Sequence, residues 1–194
     1  MNRYFSGRFQ RDICVIYPGE MFVSNEDIFI GTVLGSCISI ALFDEKQGLG
    51  GLNHFMLPSG SLKSDDEEVG RYGDYAIELL INDMMKKGAK KESLVAKVFG
   101  GGAVLKTGSE SINKTGENNI HFALSFLETE KIPIVSRDVG GDHPRKIFFH
   151  PQTSKVYLKR IIKQASAIEE LQTREAAYRK NMKNSLYSGD VILF

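Results

Sequence analysis

GTVLGSCISIALFDEKQGLGGLNHFMLP, at residues 31–58, is the most informative stretch of the 194-residue sequence. Two strand-like runs flank the turn-forming segment DEKQG, and this pattern predicts a β-hairpin. With the turn centred near Glu45 and Lys46, Cys37 lies directly opposite His54. Directly opposed antiparallel residues have Cβ atoms about 4.5–5.5 Å apart, so this thiol and imidazole can share a proton. A slip of one residue would instead send one of the two side chains to the other face.

The chain on both sides of this hairpin alternates short β-like runs with amphipathic helices, which predicts a single mixed α/β or α+β domain built around a sheet. The predicted strands are residues 13–16, 27–32, 37–44, 50–57, 94–99, 132–136, 146–150 and 155–159. Residues 59–68, reading SGSLKSDDEE, are polar and rich in turn formers, so we expect a surface loop there. We therefore expect one domain with a single hydrophobic core, followed by a C-terminal extension.

Three helices are expected. The first spans about residues 71–87, with Gly88 at its C-terminal end, and the second spans about residues 117–130. The core-facing stripe of the second helix contains Ile120, Ala123, Leu124 and Leu127. A third helical pattern begins at Ile161 and includes Ala165, Ile168 and Leu171.

The domain organisation follows from this third pattern. We expect residues 1–162 to form the catalytic domain and residues 163–194 to form a helical C-terminal extension outside the main sheet. The extension ends in SGDVILF, which either docks back as an edge strand or stays available to another protein. Docking is the favoured alternative, because a free apolar terminus lowers solubility.

Composition excludes several classes of function. Lys plus Arg number 25 and Asp plus Glu number 24, so there is no electrostatic footprint for nucleic acid or an anionic membrane. No apolar run approaches the roughly 18 residues of a membrane span, and the N-terminal residues lack a signal-like apolar stretch. These features predict a cytoplasmic protein without membrane insertion, in which Cys14 and Cys37 remain thiols. No CxxC or HExxH motif indicates a metal site, and we expect no cofactor.

The residues around Cys37 and His54 are those of a cysteine hydrolase. A neighbouring imidazole lowers a thiol pKa by stabilising a thiolate–imidazolium pair, and the same ring can then protonate a departing amine. A turn at Gly35 and Ser36 places backbone N–H groups where an oxyanion develops. Thr32 is the nearest upstream hydroxyl that can orient the imidazole.

Structural interpretations compete with this one. Cysteine is among the most buried residue types, and a histidine beside an apolar run is often a packing residue. Cys14 has no such partner in its segment and is interpreted as structural. FGGGA at residues 99–103 is interpreted as a tight turn at the cleft rim, because no GK[ST] follows it. The basic loop at residues 143–146 is interpreted as solvated rather than as a contact for an acidic partner surface.

Four segments carry a family resemblance: LGSC, NHFMLP, RYGDYAIELLINDMMKKGAKKESLVAKVFGGGA and DVGGDHPRKIFFHPQTSKV. Over residues 18–160 the chain resembles the chemoreceptor glutamine deamidase CheD family. The resemblance implies a protein-glutamine glutaminase that converts glutamines of methyl-accepting chemotaxis receptors to glutamates, tuning adaptation. It implies Cys37 and His54 as catalytic residues and a threonine shortly before LGSC as the third, here Thr32. The family is also similar to toxin deamidases with a layered α/β sandwich.

The partners implied by the resemblance are chemoreceptor cytoplasmic domains and, in some members, a CheC-type phosphatase. Two alternatives stay open, namely a non-catalytic binding regulator of a chemotaxis phosphatase and a receptor methyl-ester hydrolase. A thiol and an imidazole also serve proteases and transglutaminases, because the shape of the cleft decides which nucleophile and substrate enter.

Overall fold

Two five-stranded sheets face each other in the computed structural model. It describes residues 1–57, 67–103, 110–161, 169–171, 173–178 and 180–181. The first sheet has the order β1-β2-β4-β9-β10, formed by Asn2–Ser6, Arg11–Val15, Phe29–Leu34, Arg145–Phe149 and Val156–Arg160. The second has the order β3-β6-β5-β7-β8, formed by Met21–Ser24, Leu49–Asn53, Ile38–Asp44, Val95–Gly100 and Ile134–Val139. Each sheet contains one parallel pair, so both are mixed.

The central strand β5 is buried along its whole length, which explains its unbroken apolar run ISIALF. One of its faces contributes Ala41 and Phe43 to an apolar layer that the first sheet completes with Ile30 and Ile147. The alternation of side chains along a strand puts neighbouring residues on opposite faces. The second sheet therefore has apolar side chains on both sides.

The opposite face of the second sheet is covered by helices α1, Glu67–Lys86, and α2, Glu110–Thr129. Ile40 and Leu42 of β5 pack there with Leu80 of α1 and Ala123 of α2. The result is a three-layer α+β arrangement of sheet, sheet and helices, which confirms the expected layered sandwich. No helix within the described ranges is long and apolar enough to cross a bilayer.

The predicted elements differ from the structure mainly at their ends. All eight predicted strands are present, but 50–57 ends at Asn53, and the prediction missed β1 and β3. Helices α1 and α2 begin earlier than predicted, so Glu67 and Glu68 belong to α1 rather than to the loop. Gly88 ends α1 with a φ of +103°, as its position predicts.

The third helical pattern is present only in part. Ile161 lies outside the helix, and its N–H bonds to the Pro144 carbonyl oxygen. Helical residues are found at 169–171, 173–178 and 180–181, which we call the C-terminal helix. Leu171 is buried in it, whereas Ala165, Ile168 and the terminal SGDVILF lie outside the described residues.

The predicted register of the central hairpin is wrong by two residues. Ala41 pairs with Leu52, and Ile38 pairs with Phe55 through an isolated bridge. The turn is centred one residue later than predicted, because the Asp44 carboxylate accepts the Lys46 N–H at 3.1 Å and closes a longer loop. An even-numbered shift leaves each side chain on its predicted face. Cys37 and His54 are thus on one face without being directly opposed.

Candidate active site

The predicted catalytic residues come from both sheets and meet in the layer between them. Thr32 is on β4 of the first sheet, two residues from the inter-sheet residues Ile30 and Leu34. His54 follows β6, and Cys37 precedes β5 and belongs to the inter-sheet apolar cluster. All three side chains are buried. The two sheets together therefore form the site.

A hydrogen bond of 2.7 Å joins Thr32 Oγ1 to His54 Nδ1. The Thr32 hydroxyl also donates to the Ile16 carbonyl oxygen at 2.9 Å. A threonine hydroxyl has a single proton, so the imidazole must supply the proton of the Nδ1 contact. This assigns the neutral tautomer with hydrogen on Nδ1 and a lone pair on Nε2.

The Nε2 atom of His54 is buried and has no hydrogen-bond partner among the described residues. Burial lowers the pKa of His54 from 6.5 to about 3, because the dry surroundings disfavour the imidazolium. The ring is therefore neutral at pH 7. This closed arrangement disfavours the imidazolium half of the thiolate–imidazolium pair expected from the hairpin.

The backbone of His54 is held by the turn at residues 17–20. Gly19 N–H donates to the His54 carbonyl oxygen at 2.7 Å, and His54 N–H donates to the Glu20 carbonyl oxygen at 2.9 Å. The turn itself is closed by the Glu20 carboxylate, which accepts the Tyr17 N–H at 3.0 Å. This turn thus fixes the backbone of His54, and Thr32 fixes its imidazole at Nδ1.

The backbone around Cys37 is held by the glycine-rich turn that follows β7. Gly101 N–H donates to the Cys37 carbonyl oxygen at 2.8 Å, and Gly102 N–H donates to the Gly35 carbonyl oxygen at 2.7 Å. Gly100 has a φ of +115°, and a Cβ there would overlap the Cys37 carbonyl oxygen. The FGGGA segment thus contacts the backbone of Gly35 and Cys37, and its role at the rim of a cleft stays a prediction.

Both cysteines are thiols, and both are buried. Cys37 is 0% exposed, so no substrate reaches its sulfur in this arrangement. Continuing the hairpin register by one residue places Cys37 opposite Met56, and His54 lies two positions away on the same strand segment. Such diagonal neighbours are about 7–8 Å apart at Cα, within reach of a small rearrangement.

Gly35 and Ser36, the predicted oxyanion donors, direct their N–H groups at one atom. Both donate to Glu175 Oε1 at 3.1 Å, and the Ser36 hydroxyl donates to Glu175 Oε2 at 2.7 Å. Glu175 belongs to the C-terminal helix and is 7% exposed. Sequence reasoning missed this glutamate, because a charged extension gave no sign that one of its carboxylates is buried.

Asn119 of α2 is a second functional residue that sequence reasoning missed. Its Oδ1 accepts the Leu57 N–H at 2.8 Å, and its Nδ2 donates to the Ser36 carbonyl oxygen at 2.8 Å. The side chain thereby ties together the segments that follow His54 and precede Cys37. A signal was available, since Asn119 lies on the apolar stripe four residues before Ala123.

Arg145 contradicts the prediction of a solvated basic loop at residues 143–146. It is the first residue of β9 and only 3% exposed. Its guanidinium donates to the Asp138 carboxylate at 2.7 Å and to the Gly140 carbonyl oxygen. A planar group with several donors satisfies these acceptors together, which explains why this cation is buried.

The described residues include no group of three or more His, Cys, Asp or Glu side chains arranged to hold a metal ion. The site consists of a thiol, a tautomer-fixed imidazole and two convergent amides. Cysteine-dependent acyl-transfer enzymes use groups of these three kinds.

Sequence comparison places the chain in the CheD family. The family model described as CheD chemotactic sensory transduction matches residues 56–160. Two proteins called probable chemoreceptor glutamine deamidase CheD align along the whole chain and 94% of their own length. They come from Janthinobacterium sp. (strain Marseille), at 45% identity, and Herminiimonas arsenicoxydans, at 44%. A third, CheD 1 of Albidiferax ferrireducens, is 49% identical over 91% of this chain and 75% of its own.

Thr32, Cys37 and His54 precede the family-model match but lie within the region that the full-length relatives cover. Among solved structures, the hypothetical protein YfiH of Bacillus licheniformis matches with 10% identity. That match covers 63% of this chain and 49% of the other at a TM-score of 0.36, which is too low to support an inference.

Proposed function

We propose that this chain is a protein-glutamine glutaminase that hydrolyses glutamine side-chain amides in chemoreceptor cytoplasmic domains to glutamate. The observation that carries the proposal is the Thr32–His54 hydrogen bond of 2.7 Å, which leaves Nε2 as a base on the face shared with Cys37. The substrate is taken from the relatives, which are named chemoreceptor glutamine deamidases.

In the first half of the reaction, His54 Nε2 takes the proton of the Cys37 thiol as the sulfur attacks the amide carbon. The carbonyl oxygen becomes an oxyanion, which the N–H groups of Gly35 and Ser36 stabilise. The imidazolium then donates its proton to the amide nitrogen. Ammonia leaves, and a thioester joins Cys37 to the substrate.

In the second half, His54 Nε2 removes a proton from water, and the resulting hydroxide attacks the thioester carbon. The same two N–H groups stabilise the second oxyanion. The C–S bond breaks, the imidazolium returns the proton to sulfur, and the side chain leaves as a carboxylic acid that loses its proton to solvent and becomes glutamate. Thr32 acts through His54, because its hydroxyl accepts the Nδ1 proton and so makes Nε2 the nitrogen that takes up and returns each proton.

This chemistry requires the site to open. Cys37 is 0% exposed, and burial lowers the pKa of His54 to about 3, so the closed arrangement neither admits an amide nor supports an imidazolium. Water and a polar substrate would raise the pKa of His54 toward its ordinary value. We therefore assign the structure to a resting state.

The proposal has three further parts that rest on sequence reasoning and the resemblance. Residues 1–162 act as the catalytic domain, and residues 163–194 act as a C-terminal extension. The protein acts in the cytoplasm. A CheC-type phosphatase is a regulatory partner.

The test uses purified full-length protein and receptor cytoplasmic fragments. We expect ammonia release and conversion of specific glutamines to glutamates by mass spectrometry, with loss of both signals in Cys37→Ala. Fragments with methylated glutamates serve as a parallel substrate, and methanol release from them would indicate an ester hydrolase. Absence of both products, with a CheC-type phosphatase still bound by Cys37→Ala, would favour the non-catalytic regulator.

A further inference from the structure

The C-terminal helix contacts the loop that carries the candidate nucleophile. Glu175 accepts hydrogen bonds from Gly35 N–H, Ser36 N–H and the Ser36 hydroxyl, at 3.1, 3.1 and 2.7 Å. Leu171, one turn earlier, packs on the same glycine, where a Cβ would lie 3.2 Å from Leu171 Cδ2. Leu171 and Glu175 are both buried. This part of the helix therefore contacts Gly35 and Ser36, the two residues that precede Cys37.

The same helix also contacts the turn that holds His54. The guanidinium of Arg174 lies 5.3 Å from the centre of the Tyr17 ring. The ring of Tyr178 packs on Gly19, where a Cβ would lie 2.8 Å from Tyr178 Cε2. The helix therefore bridges the two loops that position the thiol and the imidazole.

A cavity of about 330 Å³ separates the helix from the site residues. Thr32 and His54 of the site line it together with Leu171 and Arg174 of the helix. The helix thus helps to enclose a space that borders the Thr32–His54 pair, whereas Cys37 is not among the residues that line it.

The side chain held by the Gly35 and Ser36 amides is a carboxylate, that of Glu175. The carboxylate of a glutamate is the product of the proposed reaction, and one of its oxygens receives the two amides assigned to the oxyanion. A buried carboxylate is stable only when hydrogen bonds replace its hydration, and here three donors do so. The surroundings match those that a product glutamate from another protein would need.

We propose that the C-terminal helix is a tethered product analogue, which occupies the substrate groove and holds the site closed, with Glu175 in place of the reacting side chain. The proposal rests on the proposed function for its account of Glu175 as a product. It implies that the groove takes an α-helical segment presenting a glutamine, and that this segment displaces the chain's own helix.

The test measures access to the Cys37 sulfur in the full-length protein, without requiring activity. Wild type, Glu175→Ala and Glu175→Gln are treated with iodoacetamide, and alkylation of each cysteine is followed by peptide mass spectrometry. Glu169→Ala is the matched control, since Glu169 is an exposed glutamate of the same helix. Cys14, 2% exposed on β2, reports any general loosening of the fold.

We expect Cys37 alkylation to accelerate about tenfold or more in Glu175→Ala, because three hydrogen bonds to a carboxylate are lost. Glu175→Gln should show a smaller increase in the fraction of molecules whose amide at position 175 is still intact, which the same peptide mass spectrometry identifies, and it keeps the test decisive if the alanine variant fails to fold. Glu169→Ala and Cys14 should behave as in wild type. Equal Cys37 rates in wild type and both Glu175 variants, or a matching rise at Cys14, would overturn the proposal.

The receptor assay separates this inference from the proposed function. Faster Cys37 alkylation with no receptor deamidation in any variant would remove the deamidase function and leave the helix as a cover of the site. Receptor deamidation with unchanged alkylation would retain the enzyme and remove the tethered analogue.

Discussion

Thr32 lies on the first sheet and His54 directly follows strand β6 of the second, so the 2.7 Å hydrogen bond between them joins the two sheets. The inter-sheet packing and the tautomer of the imidazole are therefore coupled. A change that separates the sheets locally would also release the ring.

The first prediction concerns this hydrogen bond. Thr32→Val keeps the shape of the side chain and removes the hydroxyl, so we expect kcat to fall about 100-fold with a much smaller change in KM. The pH profile of kcat should also shift, because the ring loses its fixed tautomer. Thr32→Ser keeps the hydroxyl and should restore most of the activity. Equal kcat and pH profiles in Thr32→Val and wild type would contradict a positioning role.

The second prediction concerns stability and pH. Burial lowers the pKa of His54 from 6.5 to about 3, so between these pH values the unfolded chain binds a proton that the folded chain does not. The contribution of the neutral His54 to the free energy of unfolding is complete above the pKa of the unfolded chain. It is lost as the pH falls below that value, by up to about 1.4 kcal/mol per pH unit. Urea unfolding of wild type and His54→Gln at about pH 7.5, 6 and 5 measures it.

Wild type should lose more stability than His54→Gln as the pH falls through this range. Carboxylates titrate in both proteins, so the difference between the two curves isolates the histidine. Parallel curves would show that the ring is solvated in the folded protein.

The third prediction concerns Asn119, which bonds to the Leu57 N–H and the Ser36 carbonyl oxygen. Asn119→Ala removes the hydrogen-bond partner of two backbone groups of the site. A buried group without a partner lowers the free energy of unfolding by about 1–3 kcal/mol. We expect a lower unfolding free energy and reduced kcat, measured by urea unfolding and the receptor assay. Asn118→Ala, at the adjacent and partly exposed asparagine, is the matched control. Similar losses in both variants would indicate a general effect on α2.

The fourth prediction follows from the proposed role of Glu175. Glu175→Gln replaces the tethered product by a tethered substrate, so the amide at position 175 should be hydrolysed within the same chain. Intact-protein and peptide mass spectrometry should detect conversion of that amide to an acid, at a rate independent of protein concentration. The double variant Glu175→Gln with Cys37→Ala should retain the amide. Conversion in the double variant would point to spontaneous or external hydrolysis.

Much of the fold was accessible from the sequence because its sheets have strong local patterns. The run at residues 38–44 and the stripe Ile120–Ala123–Leu127 each reflect burial on specific faces. The strands β1 and β3 were missed because they are short and, in β1, mostly exposed, so their residues show little apolar periodicity.

The site was only partly accessible for a different reason. The hairpin brought Cys37 and His54 to one face, but its exact register depended on how Asp44 closes the turn. Thr32 was chosen for its proximity in the chain, whereas its bond to His54 depends on the packing of two sheets. Asn119 and Glu175 contact the site from 83 and 139 residues away in sequence, and a single sequence has no local pattern for such contacts.

The complete burial of Cys37 has a consequence for the chemical lifetime of the protein. Oxidation of a cysteine to sulfenic and higher acids depends on exposure and thiolate character. An enclosed thiol lacks this exposure, so peroxide has no route to the sulfur while the cover is in place. The resting molecule would keep its nucleophile reduced and would expose it to damage only during turnover.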